Sequence, residues 1–444
     1  MTAENPSQTR KAPFPVRNIP FFYGWVILGI TFSSNMITSG INGYGISFFV
    51  VPMSDALGVT RAEFSAISLF RLAAIPVIPF IGMMLDRQQG PRAVVTIASI
   101  LAGLALIATA FVEEMWQFYL VFGIIFGVVA TTMNWQLLGA TVLAKWFIRM
   151  RGRAFAISTI GISLGGFVIA PIAGLLIDAI GWRGAWAVLG IGMLITLAPA
   201  ALIFMRRQPS DVGLLPDGRI VDAARDDSVE SEPQRDATSA EPYEYPWTVR
   251  EAVRTPGFWA VLAAQALGQA GLFGVLFHQV AYMQDKGLSV AEATLATTTL
   301  AGAALVSKLF YGFLAERFGA RLALAAAMIP TGLCLLLLVV GGGLEMVLVY
   351  AVLYGFTMGG FIPMINVAFA QYFGRQNMGA IRGAAAPPAN VAGAASPFVI
   401  GLTWQWLGNY DVSFMMLCAI WAVGGLIILM AAQPRTPTHA AERL

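Results

Sequence analysis

Two short stretches decide the reading of this chain: "GMMLDRQQGPR", residues 82–92, and "GFLAERFGAR", residues 312–321. Each follows a long apolar run. Each carries a glycine, then an acid–arginine pair, then a second glycine and a basic residue: Gly82, Asp86, Arg87, Gly90 and Arg92 in the first, Gly312, Glu316, Arg317, Gly319 and Arg321 in the second. A second pair of loops repeats in the same way. "WFIRMRGRA" from Trp146 and "YFGRQNMGAIRG" from Tyr372 each lie two apolar runs further on. An internal repeat of this length, with matching polar loops between apolar runs, is the pattern of a duplicated membrane carrier.

Composition agrees. Of 444 residues, 57% are hydrophobic and only 11% charged, and a soluble domain carries roughly twice that charged fraction. A membrane-spanning helix needs about 20 mostly apolar residues. Twelve such runs can be placed, at about 23–51, 63–86, 93–111, 116–143, 153–178, 184–204, 257–283, 290–315, 321–342, 346–371, 380–406 and 412–432. The expected fold is an all-α membrane protein of twelve transmembrane helices in two pseudo-symmetric six-helix halves. The halves are 23–205 and 257–432, with terminal tails 1–22 and 433–444. The segment 206–256, with "RDDSVESEPQRD", is charged, rich in proline and poor in apolar residues, and reads as a linker.

Lysines and arginines orient the chain. Arg87, Arg92, Lys145, Arg149, Arg151, Arg153, Arg317, Arg321, Arg375, Arg382 and the basic residues of both tails and the linker fall on one side; Arg61, Arg183 and Lys286 fall on the other. The positive-inside rule then makes both termini and the linker cytoplasmic, in a cell (inner) membrane. The polar N-terminal stretch, with Arg10, Lys11 and Arg17, precedes an apolar run too long for a cleavable signal. A net charge of +3 with no basic tract gives nucleic acid no footprint. Cys334 and Cys418 lie in apolar runs, so neither a disulfide framework nor a metal site is implied. With two histidines in the chain, hydrolytic and metal chemistry have almost nothing to work with, and neither an enzyme nor a cofactor is expected.

The paired loops resemble the signature of the major facilitator superfamily, the first copy with one residue more than usual before Gly90. An acid at a helix end can pair with loop arginines and cap neighbouring helix termini, which would make these residues a conformational latch. Within that superfamily the chain resembles the monocarboxylate transporters and oxalate–formate antiporters. "YGWVIL" (Tyr23–Leu28) is similar to their first-helix opening. Phe147, Arg149, Arg151, Ala154, Gly161 and Gly165 fall at the spacings of their fourth-to-fifth-helix pattern. The resemblance implies a secondary transporter that usually works as a monomer.

Two cations fall well within spans, Arg71 in the second and Lys308 in the eighth, and no acid lies deep in any span. A lone ammonium at such depth costs roughly 2.5–3.5 kcal/mol on insertion scales. Its missing partner is read as a negatively charged substrate, a small organic anion, with Lys308 and Arg71 as candidate ligands. The bland reading is that both cations snorkel or bond backbone carbonyls. The resemblance points the same way, since the family's basic residue in the eighth helix binds the carboxylate and Lys308 occupies that position. Two family residues are absent: an aspartate one turn earlier is Ala304 here, and a first-helix lysine is Gly43. This counts against lactate–proton coupling of the mammalian type and favours anion exchange. His278, near the outer end of the seventh span, is a candidate for proton coupling. Asn42, Tyr44, Asn134, Gln136 and Asn366 are further candidates for lining the site, or for helix–helix bonding. The alternative within the same fold is an exporter of hydrophobic or cationic compounds, which would need a buried acid.

Overall fold

The computed structural model describes residues 21–434 except 86, 88, 134, 149, 219–244, 246, 375 and 376. Among these the chain is helical, with no strand. Twelve helical spans follow one another. Span 1 (24–57) runs through Gly24–Ser39, a π-helical turn at Gly40–Gly45 and Ile46–Leu57. Span 2 (61–85) is interrupted: a 3-10 turn at Arg71–Ala74 separates its first part from the helix Ile78–Leu85. Spans 3 and 4 are Gly90–Thr109 and Met115–Trp146.

Spans 5 and 6 form one run, Arg151–Phe204, broken only at Gly181, and spans 8 and 9 another, Val290–Val340, broken only at Gly319. Separate apolar runs are expected there from the sequence. The structure joins each pair through a single residue at positive φ, +72° and +82°, which glycine adopts without a Cβ clash. Span 7 is Pro256–Asp285, span 10 is Leu344–Met358 continued by Phe361–Phe373, and spans 11 and 12 are Met378–Leu407 and Asp411–Met430.

The duplication extends to the caps. Span 2 opens with a capping box of Thr60 and Glu63, and span 8 with one of Ser289 and Glu292. In each box the hydroxyl accepts the third backbone N–H while the glutamate returns to the cap's own N–H, satisfying helix-end donors that membrane helices cannot leave bare. The signature's last basic residue is also used twice. Arg92 Nε donates to the Leu202 carbonyl at the end of span 6 (2.5 Å), and Arg321 donates to the Ala431 carbonyl at the end of span 12 (3.4 Å), with the same separation of 110 residues.

Small residues set the packing, as expected where apolar burial does not by itself drive helices together. A Cβ on Gly165 in span 5 would lie 2.1 Å from the Met36 carbonyl oxygen in span 1. Spans 5 and 8 form the central seam between the halves. Gly174 meets Thr294, Phe167 meets Gly302 and Thr159 meets Lys308, about two helical turns apart each time.

Candidate functional site

A cavity of about 330 Å³ lies between the two halves. Span 1 reaches it through the π turn carrying Asn42 and Tyr44, and π turns of this kind recur at functional sites. Span 2 contributes Ser68, Arg71, Ile75 and Ile78 around its break, and span 7 a stripe from Gln265 and Gln269 to Phe277. Span 8 supplies Ala304 and Lys308, span 10 Phe361 and Asn366, and span 11 Arg382 and Asn390. No aspartate or glutamate is among the described lining residues.

Arg71 and Lys308 thus share one cavity. The Arg71 guanidinium lies 5.4 Å from the centre of the Phe122 ring, and its side chain rests on Gly127 of span 4. Its Nε and Nη2 are buried without a hydrogen-bond partner. Lys308 is half-buried, and its Nζ donates to the Thr159 carbonyl at 2.9 Å, across the seam. One of its three donors is therefore held by backbone, as the bland reading expects, while the side chain still lines the cavity. Asn42 Oδ1, Gln265 Oε1 and Asn366 Oδ1 are also buried and unpartnered.

The other sequence candidates fall in different places. Asn134 lies outside the described residues, and of Gln136 only the backbone is described, in a π-helical stretch, Trp135–Leu143. His278 is fully buried and does not line the cavity. Its Nε2 lies 2.9 Å from the Pro397 carbonyl and 3.1 Å from Ser65 Oγ; its Nδ1 lies 3.0 Å from the Tyr410 hydroxyl. A carbonyl only accepts, so the proton is on Nε2, and Nδ1 accepts from Tyr410.

That network belongs to a closure on the face away from the linker. Arg61 clasps Asp285 through two bonds of 2.6 and 2.7 Å, and its guanidinium stacks 4.1 Å from the Trp404 ring. Trp404 Nε1 also donates to Asp285 at 3.1 Å. One and two turns further in, Ser65 meets His278 and Ser68 Oγ donates to the Ala394 carbonyl at 2.6 Å. Val280 N–H donates to Ser47 Oγ at 3.1 Å. Spans 1 and 2 of one half are thereby bonded to spans 7 and 11 of the other.

Of the latch candidates, Gly82 sits in the helix Ile78–Leu85, Asp86 lies outside the described residues, and Arg87 is exposed. A Cβ on Gly90 would fall 1.8 Å from the Met84 carbonyl oxygen, so the turn requires glycine. Gly312 lies within the run Val290–Val340. Glu316 is exposed with no ion-pair partner among the described residues, and Arg317 packs over Phe318 (5.7 Å). Among the described members, Arg92 and Arg321 do the capping.

Sequence reasoning missed Gln265, Gln269, Asn390 and the inward position of Arg382. Gln265 and Gln269, polar and four apart in an apolar span, carried the same signal as Asn42. From the sequence, Arg382 is grouped with the charges of the linker side, at the start of the run 380–406.

Twelve helices in two repeats about a central cavity define a membrane carrier. The family model of the Major Facilitator Superfamily matches residues 28–289 and 266–443, and the chain belongs to that superfamily. It is therefore a transporter and not an enzyme. Its relatives include monocarboxylate transporter 13 of Rattus norvegicus, 25% identical with 92% of this chain and 88% of that protein covered. Monocarboxylate transporter 11 of Homo sapiens is 24% identical (95% and 86% covered), and the uncharacterised MFS-type transporter YcxA of Bacillus subtilis is 22% identical (94% and 97%). In fold the chain is similar to a bacterial homologue of the human lysosomal transporter Spinster, in an inward-facing, unoccupied conformation, with a TM-score of 0.63 at 16% identity, covering 93% of this chain and 94% of that one. The chain is thus a multi-pass membrane transporter related to the monocarboxylate transporters.

Proposed function

We propose that this carrier moves small organic anions, monocarboxylates first among them, with Lys308 pairing with the substrate carboxylate and Arg71 supplying a second positive site. The observation that carries the reading is the charge of the cavity: cations from both halves line it, and none of its described lining residues is an acid. An anion entering it satisfies donors that a cation would leave opposed. The kinship with monocarboxylate transporters supports the same class. Asn42, Tyr44 and Asn366 line the cavity beside the cations, and Asn134 and Gln136 are assigned to it from the sequence.

Transport proceeds by alternating access, the halves 23–205 and 257–432 rocking about the seam of spans 5 and 8. With Arg61, Ser65 and Ser68 bonded to the other half, the far face is shut and the cavity is reached from the linker face. The arginine-rich side, with both tails and the linker 206–256, is cytoplasmic. The protein works as a monomer in the inner membrane. A proton or an exchanged anion drives it, and the signature residues from Asp86 to Arg92 and from Glu316 to Arg321 latch one conformation. A proton role for His278 predicts that His278→Gln loses the pH dependence of uptake; an unchanged profile would assign His278 to the closure alone.

The reading is tested by thermal-shift titration of the purified carrier with carboxylates, neutral sugars and cationic dyes, on wild type and Lys308→Gln. Stabilisation by carboxylates that weakens in the variant supports it. Stabilisation by cationic or neutral compounds alone, equal in both proteins, would replace it with the exporter reading.

A further inference from the structure

On the reading of the cavity as an organic-anion site, we propose that the acid it takes carries an aromatic ring, its carboxylate at Lys308 and the far edge of its ring at Arg71. The two cations lie at different depths. Span 2 begins at Arg61 and span 8 at Val290, both on the far face, so Lys308 sits eight residues deeper along its helix than Arg71 along its own. At about 1.5 Å per residue this is about 12 Å. A two- or three-carbon acid touches one cation and leaves the other bare; a ring-bearing acid reaches both.

The wall between them matches that shape. Along span 7 the lining begins with the amides Gln265 and Gln269 and continues as Leu272, Phe273, Leu276 and Phe277. This one helical face is polar toward the linker side and apolar toward the far side. Phe361 of span 10 adds a third ring. Phe273, lying against Gly393, is the most open of these side chains, at 36% exposure. A volume of about 330 Å³ falls in the range of pockets that bury ring-bearing ligands, about 300–1,000 Å³. Acetate or lactate would leave most of that apolar wall wet and contribute nothing to its burial. Arg71 lines the far end of this wall, and its buried Nε and Nη2 have no hydrogen-bond partner, so its guanidinium has donors to spare for a hydroxyl oxygen at the outer edge of the ring.

The test is equilibrium binding to the full-length carrier in detergent, with acetate, lactate, phenylacetate, 4-hydroxyphenylacetate and neutral phenylacetamide as probes. Phenylacetate is expected to bind at least about 30-fold tighter than acetate, from burial of its ring. The 4-hydroxyl is expected to add about threefold more, an increment lost in Arg71→Gln. In Phe273→Ala the ratio of phenylacetate to acetate affinity is expected to fall about tenfold. Acetate or lactate binding as tightly as phenylacetate to the wild type would overturn the ring-bearing class while leaving an organic-anion carrier. Phenylacetamide binding as tightly as phenylacetate would overturn the organic-anion reading itself.

Discussion

Lys308 Nζ donates to the backbone carbonyl of Thr159 at 2.9 Å, so a cation of one half is held by the other half at the central seam. The carbonyl satisfies one of the ammonium's three donors. A carboxylate is a stronger acceptor than a carbonyl, so its arrival competes for the donor that also joins the halves. On the proposed function, occupancy and the seam are linked through this one side chain.

This link makes charge, more than shape, the requirement at position 308. Lys308→Gln should weaken carboxylate binding by about 10- to 100-fold, the worth of a hydrogen bond to a charged group. Lys308→Arg should retain binding within about threefold, because the guanidinium keeps the charge while changing the donor geometry. Affinities by calorimetry on both variants decide it. Equal loss in the two would show that the bond to Thr159, and not the charge, is what matters.

The Arg61–Asp285 clasp joins the two halves at the far face, and on the proposed alternating-access cycle it keeps that face shut. Asp285→Asn leaves Arg61 stacked on Trp404 without its carboxylate and should shift the carrier toward opening on that face. With Cys334 and Cys418 replaced by alanine and Thr131→Cys as a reporter in the cavity, labelling by a membrane-impermeant maleimide from the far face should accelerate about tenfold in Asp285→Asn. An unchanged labelling rate would remove the clasp from the closure.

Arg92 and Arg321 cap the last helix of their own halves, and a cation at a helix C-terminus contributes about 0.3–2 kcal/mol. Each alanine variant should lower the melting temperature. Arg92→Ala should lower it more, since its bond is 2.5 Å against 3.4 Å for Arg321. The reverse order would mean that the contacts are incidental to stability.

Asp217, just after span 6, is the one non-glycine at positive φ among the described residues (+58°), and its carboxylate accepts from the N–H groups of Ile148 and Met150 at 3.2–3.4 Å. These N–H groups precede the helix that starts at Arg151. Asp217→Ala loses the acceptor and retains the strained backbone, and should cost about 1–3 kcal/mol. Asp217→Asn, which tolerates this backbone and keeps one oxygen, should cost about half of that. Denaturation of the two variants side by side separates the effects.

Much of this molecule is determined by the sequence alone. Continuous apolar runs of about 20 residues cross a bilayer as helices, because unpaired backbone is not tolerated there and barrel strands alternate apolar with polar residues. The paired signatures at Gly82 and Gly312 reveal the duplication, and Arg71 and Lys308 stand out because charge at such depth is costly. Local chemistry was enough for all of this, since each signal lies within a few residues. What only the tertiary structure decided concerns residues far apart in the chain. Arg61 finds Asp285, His278 is enclosed by Ser65, Pro397 and Tyr410 outside the cavity, and Arg382, grouped by the sequence with the linker-side charges, lines the cavity wall. Helical periodicity gives the face a side chain occupies but not which helix stands opposite. In a membrane, where apolar burial alone does not choose partners, that choice rests on close contacts such as Gly165 on Met36 and Gly302 on Phe167.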